Sequence, residues 1–290
     1  RDRSPSRGLG DVYKRQGCMS GHSKWSTIKR AKGATDAKRG ALFTKLARDI
    51  VLAVRDGGGG DPDMNFRLRL AIDKAKSNNM PQDNIVRSIK RATGEGGEGK
   101  EEFEEIIYEG YGPGGGAILL QAFTTNRNRT ASDVRSAFNK IGGSLGESGC
   151  VSWNFEKKGV ITVETGDADK ADEVSLIAIE AEADDVKYED GVLEIFATPE
   201  RLQGIQEILN ENEVNVSSSD ISLVPKTTIA LDAKASEQTL RLLDNLEELM
   251  DIQKAYSNAD FPPEVLEQYQ DQLVTIKVEK NQLLPMLHFI

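Results

Sequence analysis

The chain has 290 residues, with 37 Lys/Arg against 47 Asp/Glu and a formal charge of −10. This length implies two or three domains rather than one, and no run approaches the roughly 20 apolar residues of a membrane-spanning helix. Two cysteines and two histidines exclude a disulfide scaffold and a cysteine-built zinc cluster, and leave little room for histidine-based catalysis or metal chemistry. The acidity is unevenly spread: residues 1–93 carry 21 Lys/Arg against 9 Asp/Glu (+12), and residues 94–290 carry 16 against 38 (−22). A basic module on an acidic body points to one contacting face rather than uniform coating of a nucleic acid.

Arg1–Gly17 has no apolar segment and so is not a secretory signal. Residues 1–18 read as a leader outside the folded protein, a disordered basic arm, a transit-like segment or, better, an expression, assembly or gene-calling remnant, because ordered-looking sequence starts at Met19. Ser23–Lys32 reads as a short helix or basic arm around Trp25 and Ile28. Asp36–Arg55 is an amphipathic helix, with Phe43, Leu46, Ala47, Ile50 and Val54 on one face and Lys38, Lys45, Arg48 and Arg55 on the other. Pro62 and Pro81 are each placed to open a helix, predicting Pro62–Lys76 and Pro81–Ala92, the second burying Ile85, Val86 and Ile89. Residues 19–93 are therefore expected to form a basic helical domain.

At Gly94 the composition turns Gly- and Glu-rich and the pattern period drops towards two. Glu104–Tyr111 and Ala117–Thr124 read as strands joined by the glycine loop Gly112–Gly116. Thr130–Ile141 reads as a helix capped by Thr130, and Cys150–Phe155 as a strand with Cys150 as a core thiol, while Cys18 lies outside the folded body. From Val160 the order is strand, helix (Lys170–Ala181), strand (Asp185–Tyr188), strand (Val192–Ala197), helix (Pro199–Leu209) and strand (Glu213–Leu223). This is the ferredoxin-like β-α-β-β-α-β unit. A helix over Lys234–Met250 and a strand over Ile252–Ser257 then supply what residues 104–155 lack. The expected fold is multidomain α and α+β: a helical N-terminal domain plus two α+β domains, one ferredoxin-like (156–223) and inserted in the other (94–155 and 224–260). Residues 261–290 form a C-terminal extension, read as a helix-plus-strand hook or a mistranslated end.

The run Gly21-His22-Ser23-Lys24-Trp25-Ser26-Thr27-Ile28-Lys29-Arg30, followed by Asp36-Ala37-Lys38-Arg39-Gly40 and Phe43-Thr44-Lys45, closely resembles the start of the YebC/PmpR family. The likeness continues through Asn79-Met80-Pro81, Tyr108-Glu109-Gly110-Tyr111-Gly112-Pro113-Gly114-Gly115 and Thr125-Asn126-Arg127-Asn128-Arg129-Thr130. It returns at Val224-Pro225-Lys226 and Tyr256-Ser257-Asn258-Ala259-Asp260, and leaves 1–18 and 261–290 outside the family pattern. The resemblance implies a helical first domain and two α+β domains. It also implies a bacterial cytoplasmic, or in a eukaryote mitochondrial-matrix, factor acting on gene expression without catalysis. Members are described as probable transcriptional regulators, and mitochondrial relatives as translational activators of a cytochrome oxidase subunit.

Lys24, Lys29, Arg30 and Lys32 surround Trp25, so cations can meet phosphates while the ring stacks on a base. The alternative is that Trp25 anchors the arm to the helical core. The resemblance favours nucleic acid, with His22 and Ser23 as hydrogen-bonding neighbours and Lys38, Arg39, Lys45 and Arg48 extending the patch. His22–Ser23 lacks the glycine-framed elbow of a hydrolase serine. Arg127, Asn128 and Arg129, at a strand-to-helix junction, form a possible second contact; the competing reading gives them turn, cap and ion-pair roles. Gly112–Gly116 lacks the ending of a nucleotide-binding loop and reads as a hairpin. The acidic runs Glu101–Glu105 and Asp167–Glu173 have no metal-loop spacing and read as solvated surface. No cofactor or metal is implied, and a monomer without membrane attachment is expected. The leading function is a non-enzymatic translation factor on the ribosome or rRNA. The alternatives are a regulator on promoter DNA and a protein–protein scaffold.

Overall fold

The computed structural model describes Trp25, residues 36–95 and residues 103–272. These fall into two compact units, one of residues 157–222 and one of the remaining described residues.

The larger unit begins with helices α1 (Asp36–Asp56), α2 (Phe66–Ser77) and α3 (Gln82–Thr93). Leu46, Ile50 and Val54 of α1 meet Leu68, Ile72 and Ala75 of α2 and Ile85 of α3 in a continuous core. Helix α2 does not start at Pro62. Asn65, 1% exposed, caps it by accepting from Leu68 N at 3.0 Å, while its amide donates to Ala53 O and Gly59 O, both at 2.8 Å. One buried side chain thus closes α1, the glycine turn and α2 together. The turn needs Gly57, because a Cβ there would lie 2.2 Å from Asn65 Oδ1. Val86, read as inward, is 39% exposed.

Strands β1 (Glu104–Tyr111) and β2 (Ala117–Thr124) form an antiparallel hairpin, in register from Glu104↔Thr124 to Tyr111↔Ala117. Its loop tightens through a 3-10 turn at Pro113–Gly115, where Gly114 has φ 78° and a Cβ would press on Leu231 and Ala235. With β3 (Ser144–Leu145) and β9 (Ile252–Ser257) the sheet order is β3-β1-β2-β9. Helices α4 (Arg127–Ile141) and α7 (Ala233–Glu248) cover one face. There Val134, Phe138, Leu243 and Leu246 close over Ile118, Leu120 and Ala255. The alternate residues Ala117, Leu119 and Tyr256 meet Val151 and Phe155 in a second cluster, as period-two alternation requires. Short strands β8 (Ile229–Ala230) and β10 (Ala259–Asp260) pair in parallel. Phe261, Val265, Leu266 and Tyr269 join the main core, so the described part of the C-terminal extension packs on its own body.

Two local readings are corrected. Helix α4 starts at Arg127 with Asn126 as cap, accepting from Arg129 N at 3.1 Å, and Thr130 is buried in its first turns. Cys150–Phe155 is not a strand and Cys150 is only half-buried. The Glu109 carboxylate accepts from the backbone N–H of Gly149, Val151 and Ser152 at 2.7, 2.8 and 2.7 Å. Those donors are thereby withdrawn from any ladder, and a 3-10 turn at Ser152–Asn154 precedes the next strand.

The smaller unit is strand β4 (Phe155–Glu164, entering it at Lys157), helix α5 (Ala168–Glu180), β5 (Asp185–Glu189), β6 (Val192–Ala197), helix α6 (Leu202–Glu211) and β7 (Val216–Pro225, leaving it after Ser222). The sheet order is β5-β6-β4-β7, with β6 antiparallel to both β4 and β5. Ile161, Val163, Leu193 and Ile195 of the sheet, with Val174, Ala178, Ile205 and Leu209 of the helices, are buried.

Candidate nucleic-acid interface

Most of the sequence-predicted contact set, His22, Ser23, Lys24, Lys29, Arg30 and Lys32, lies outside the described residues, as does the side chain of Lys38. Trp25 is described and is 1% exposed, in the core formed with Leu240, Leu243 and Tyr269. This corrects its reading as a stacking ring. The core it enters is that of the α+β sheet rather than that of the helical module. The Tyr269 hydroxyl, which donates to Asp244, has its pKa raised, mainly by burial and then by the charge of Asp244.

The polar side of α1 is also committed. Lys45 Nζ donates to Glu247 O, and Gln253 Nε2 donates back to Lys45 O and to Asp49 Oδ1. Arg48, whose side chain is 15% exposed, donates to Met250 O and lies 3.5 Å from Asp251 Oδ1. Its guanidinium stands 5.5 Å over the Phe103 ring, and that ring stacks on Phe123 at 4.9 Å. Arg55 sits 5.5 Å over the Phe123 ring. Lys45 and Arg48 therefore clamp α1 to the end of α7 and the start of β9 and do not extend an open phosphate-binding patch. Arg39 remains exposed.

Asp251 is the centre of this clamp. Burial raises its pKa, but hydrogen bonds from Arg129 and Thr130 and the charges of Arg129 and Arg48 outweigh burial and hold the carboxyl below its ordinary value. Thr130 Oγ1 donates to Asp251 Oδ2 at 2.9 Å, and Thr124 Oγ1 does so at 3.2 Å. Arg129 Nη2 reaches the same oxygen at 2.7 Å. Of the possible second contact, Arg129 is thus tied to Asp251 while keeping 56% of its side chain exposed. Arg127 and Asn128 are exposed in the first turn of α4, and Tyr108 Oη donates to Arg127 O at 3.3 Å.

A group that sequence reasoning missed lies on α3. Arg87, Lys90 and Arg91 are exposed on the face opposite buried Ile85 and Ser88. The i, i+3, i+4 spacing of three cations was the available signal. Lys76, in the last turn of α2, is exposed as well. Among the described residues no cluster of three His, Cys, Asp or Glu is placed to hold a metal ion, and no helix is long and apolar enough to cross a membrane.

Residues 23–95 match the TACO1/YebC protein N-terminal domain, and residues 103–259 match the TACO1/YebC second and third domain. A probable transcriptional regulatory protein of Chloroflexus aggregans is 54% identical over 252 residues, 87% of this chain and 99% of that one. Another of the same name from Dehalococcoides mccartyi is 56% identical over 254 residues, 88% of this chain and 100% of its own. The crystal structure of a conserved hypothetical protein from Aquifex aeolicus, 44% identical, superposes with a TM-score of 0.69 over 78% of this chain and 92% of that one. The helical start, the two sheet-containing parts that follow it and these likenesses over most of the chain place the protein in the YebC/PmpR family.

Proposed function

We propose that the protein is a non-enzymatic regulator of gene expression whose basic N-terminal module, residues 19–93, binds nucleic acid, and that it does so as a ribosome- or rRNA-associated translation factor. The observation that carries this is the segregation of charge, +12 on residues 1–93 against −22 on the remainder. A polyanion is attracted to the basic module and repelled by acidic surface. The exposed Arg39, Lys76, Arg87, Lys90 and Arg91 add to the basic arm on the described surface. The clamp of Lys45 and Arg48 onto α7 and the start of β9 joins the helical module to the four-stranded sheet of the larger unit, which suits docking on a large shaped target. In the same reading, residues 94–155 with 224–260 form a discontinuous α+β domain. Residues 156–223 form a ferredoxin-like domain inserted in it, supported by the β5-β6-β4-β7 order. The site of action follows that of the ribosomes, bacterial cytoplasm or mitochondrial matrix.

The second reading, a regulator on promoter DNA, is favoured by the names of the relatives, which are called probable transcriptional regulatory proteins. Sedimentation of tagged protein through a sucrose gradient, at low and raised salt and with or without nuclease, separates the two. Comigration with a ribosomal subunit, lost at high salt, supports the translation reading. A protein that stays at the top of every gradient while retarding promoter DNA under excess competitor overturns it.

A further inference from the structure

Trp153 is 66% exposed, and among the described residues no other aromatic side chain is as open; the chain's second tryptophan, Trp25, is 1% exposed. A large ring left in water normally has rotational freedom, but this one is fixed. Its Nε1–H donates to Cys150 O at 2.9 Å, and Tyr111 Oη, from a side chain that is itself exposed, donates to the same carbonyl at 3.0 Å. The loop that carries them is held by the three backbone N–H bonds to Glu109. The next residue, Asn154, is 2% exposed and clasps residues 226–227: Lys226 N donates to its backbone carbonyl at 2.7 Å, and Thr227 N and Oγ1 donate to its Oδ1 at 3.0 and 2.8 Å. The exposed Lys226 is thereby kept beside the turn that bears the ring. The indole's one polar atom is satisfied internally, so what Trp153 offers outward is a rigid π face, with exposed Lys226 on the segment clasped by the neighbouring Asn154.

We propose that Trp153 is a stacking platform for an unpaired nucleobase of single-stranded RNA, with Lys226 placed for an adjoining phosphate. Base–aromatic stacking is sequence-tolerant because every base has a π face. A ring already fixed before binding loses little rotamer entropy on stacking. Glu147, an exposed acid in the same loop, opposes binding driven by charge alone, so affinity here comes from the ring and responds weakly to salt. The proposal rests on the nucleic-acid reading above but uses a surface separate in sequence from the basic module.

The test is tryptophan emission of the full chain titrated with an eight-residue oligoadenylate and with an abasic oligomer of equal charge. The oligoadenylate is expected to quench emission at both 100 and 500 mM KCl, at roughly the strength of a single stacked base; the abasic oligomer is not. In anisotropy of an end-labelled oligoadenylate, which needs no tryptophan signal, Trp153→Ala is expected to weaken binding roughly tenfold and Trp153→Phe to restore most of it, with unchanged circular dichroism because the side chain lies at the surface. Equal quenching by the abasic oligomer, or unchanged affinity of Trp153→Ala, overturns the platform. An absence of quenching by either oligomer also overturns it and leaves the ring as a protein-contact residue. Loss of ribosome sedimentation in Lys29→Glu/Arg30→Glu with quenching intact would show two independent contacts. Quenching that fails while sedimentation stays salt-sensitive removes only the platform.

Discussion

Arg129 Nη2 lies 2.7 Å from Asp251 Oδ2, while Arg48 Nη2 approaches the other oxygen to 3.5 Å. One carboxylate, 7% exposed at its side chain, thus ties α1 of the helical module to α4 of the α+β body. Removing it takes from the Arg48 guanidinium and from the buried hydroxyls of Thr124 and Thr130 the carboxylate they share. Breaking a buried pair from one side costs about 3 kcal/mol or more, so Asp251→Ala is expected to lose roughly that in urea denaturation. Arg129→Ala, from the exposed end of the pair, is expected to lose under about 1 kcal/mol. Equal losses in the two variants would show that Arg129, not Arg48, is the partner that matters.

The Glu109 carboxylate makes an acid-sensitive staple. Burial raises its pKa, but the N–H groups of Gly149, Val151 and Ser152 outweigh that and hold it below the ordinary glutamate value. A folded pKa lower than the unfolded one means that the stabilisation is complete above the unfolded value. It is lost as pH falls from there through the folded one. Asp251, shifted the same way, adds to this slope. Urea midpoints are therefore expected to drop steeply below the ordinary carboxylate range. Glu109→Gln should be less stable at neutral pH and show a shallower acid slope; an unchanged slope would remove Glu109 from the account.

Asn65→Ala tests how the helical module is closed. It removes the α2 cap and the amide's bonds to Ala53 O and Gly59 O, of which Ala53 O keeps the bond from Gly57 N at 3.0 Å. Loss of a cap alone costs about 1 kcal/mol, and the lost bond to Gly59 O adds about 1 kcal/mol. A total of about 2 kcal/mol is expected from thermal or urea unfolding, with Asn65→Asp recovering only the capping part.

Much of the secondary structure was legible because its causes are local. The apolar stripe of Phe43, Leu46, Ile50 and Val54 gives α1 almost to its ends, and β6 runs over the expected Val192–Ala197. The misreadings have distant causes. Pro62 has the form of a helix start, yet Asn65 prevails because Ala53 and Gly59 lie within its reach. The apolar run Cys150–Phe155 would be a strand if Glu109, some 40 residues earlier, did not bind its donors. Lys45 and Arg48 look like a solvated face until α7 and β9 arrive some 200 residues downstream. Nothing local distinguishes Trp25 from Trp153. Both sit beside polar residues, and only the tertiary fold sends one into the core and leaves the other at the surface.

The same distinction separates stability from binding among the basic residues of the helical module. Arg48→Glu places a second carboxylate against Asp251 in a site that is 15% exposed at Arg48, so the expected effect is unfolding of the clamp, read as a lowered urea midpoint. Arg87→Glu/Lys90→Glu changes two exposed side chains on α3, and surface substitutions of this kind shift stability by about 0.5 kcal/mol or less. If α3 lies along a phosphate backbone, removing two cation contacts lowers the salt slope of RNA or ribosome binding by about 1–2. Affinity then falls uniformly across sequences, because phosphate contacts position the protein without reading bases. The measurement is binding of full-length protein to purified ribosomes at several KCl concentrations. A wild-type slope in Arg87→Glu/Lys90→Glu would confine the interface to the basic arm ahead of α1. A reduced slope would add α3 to it.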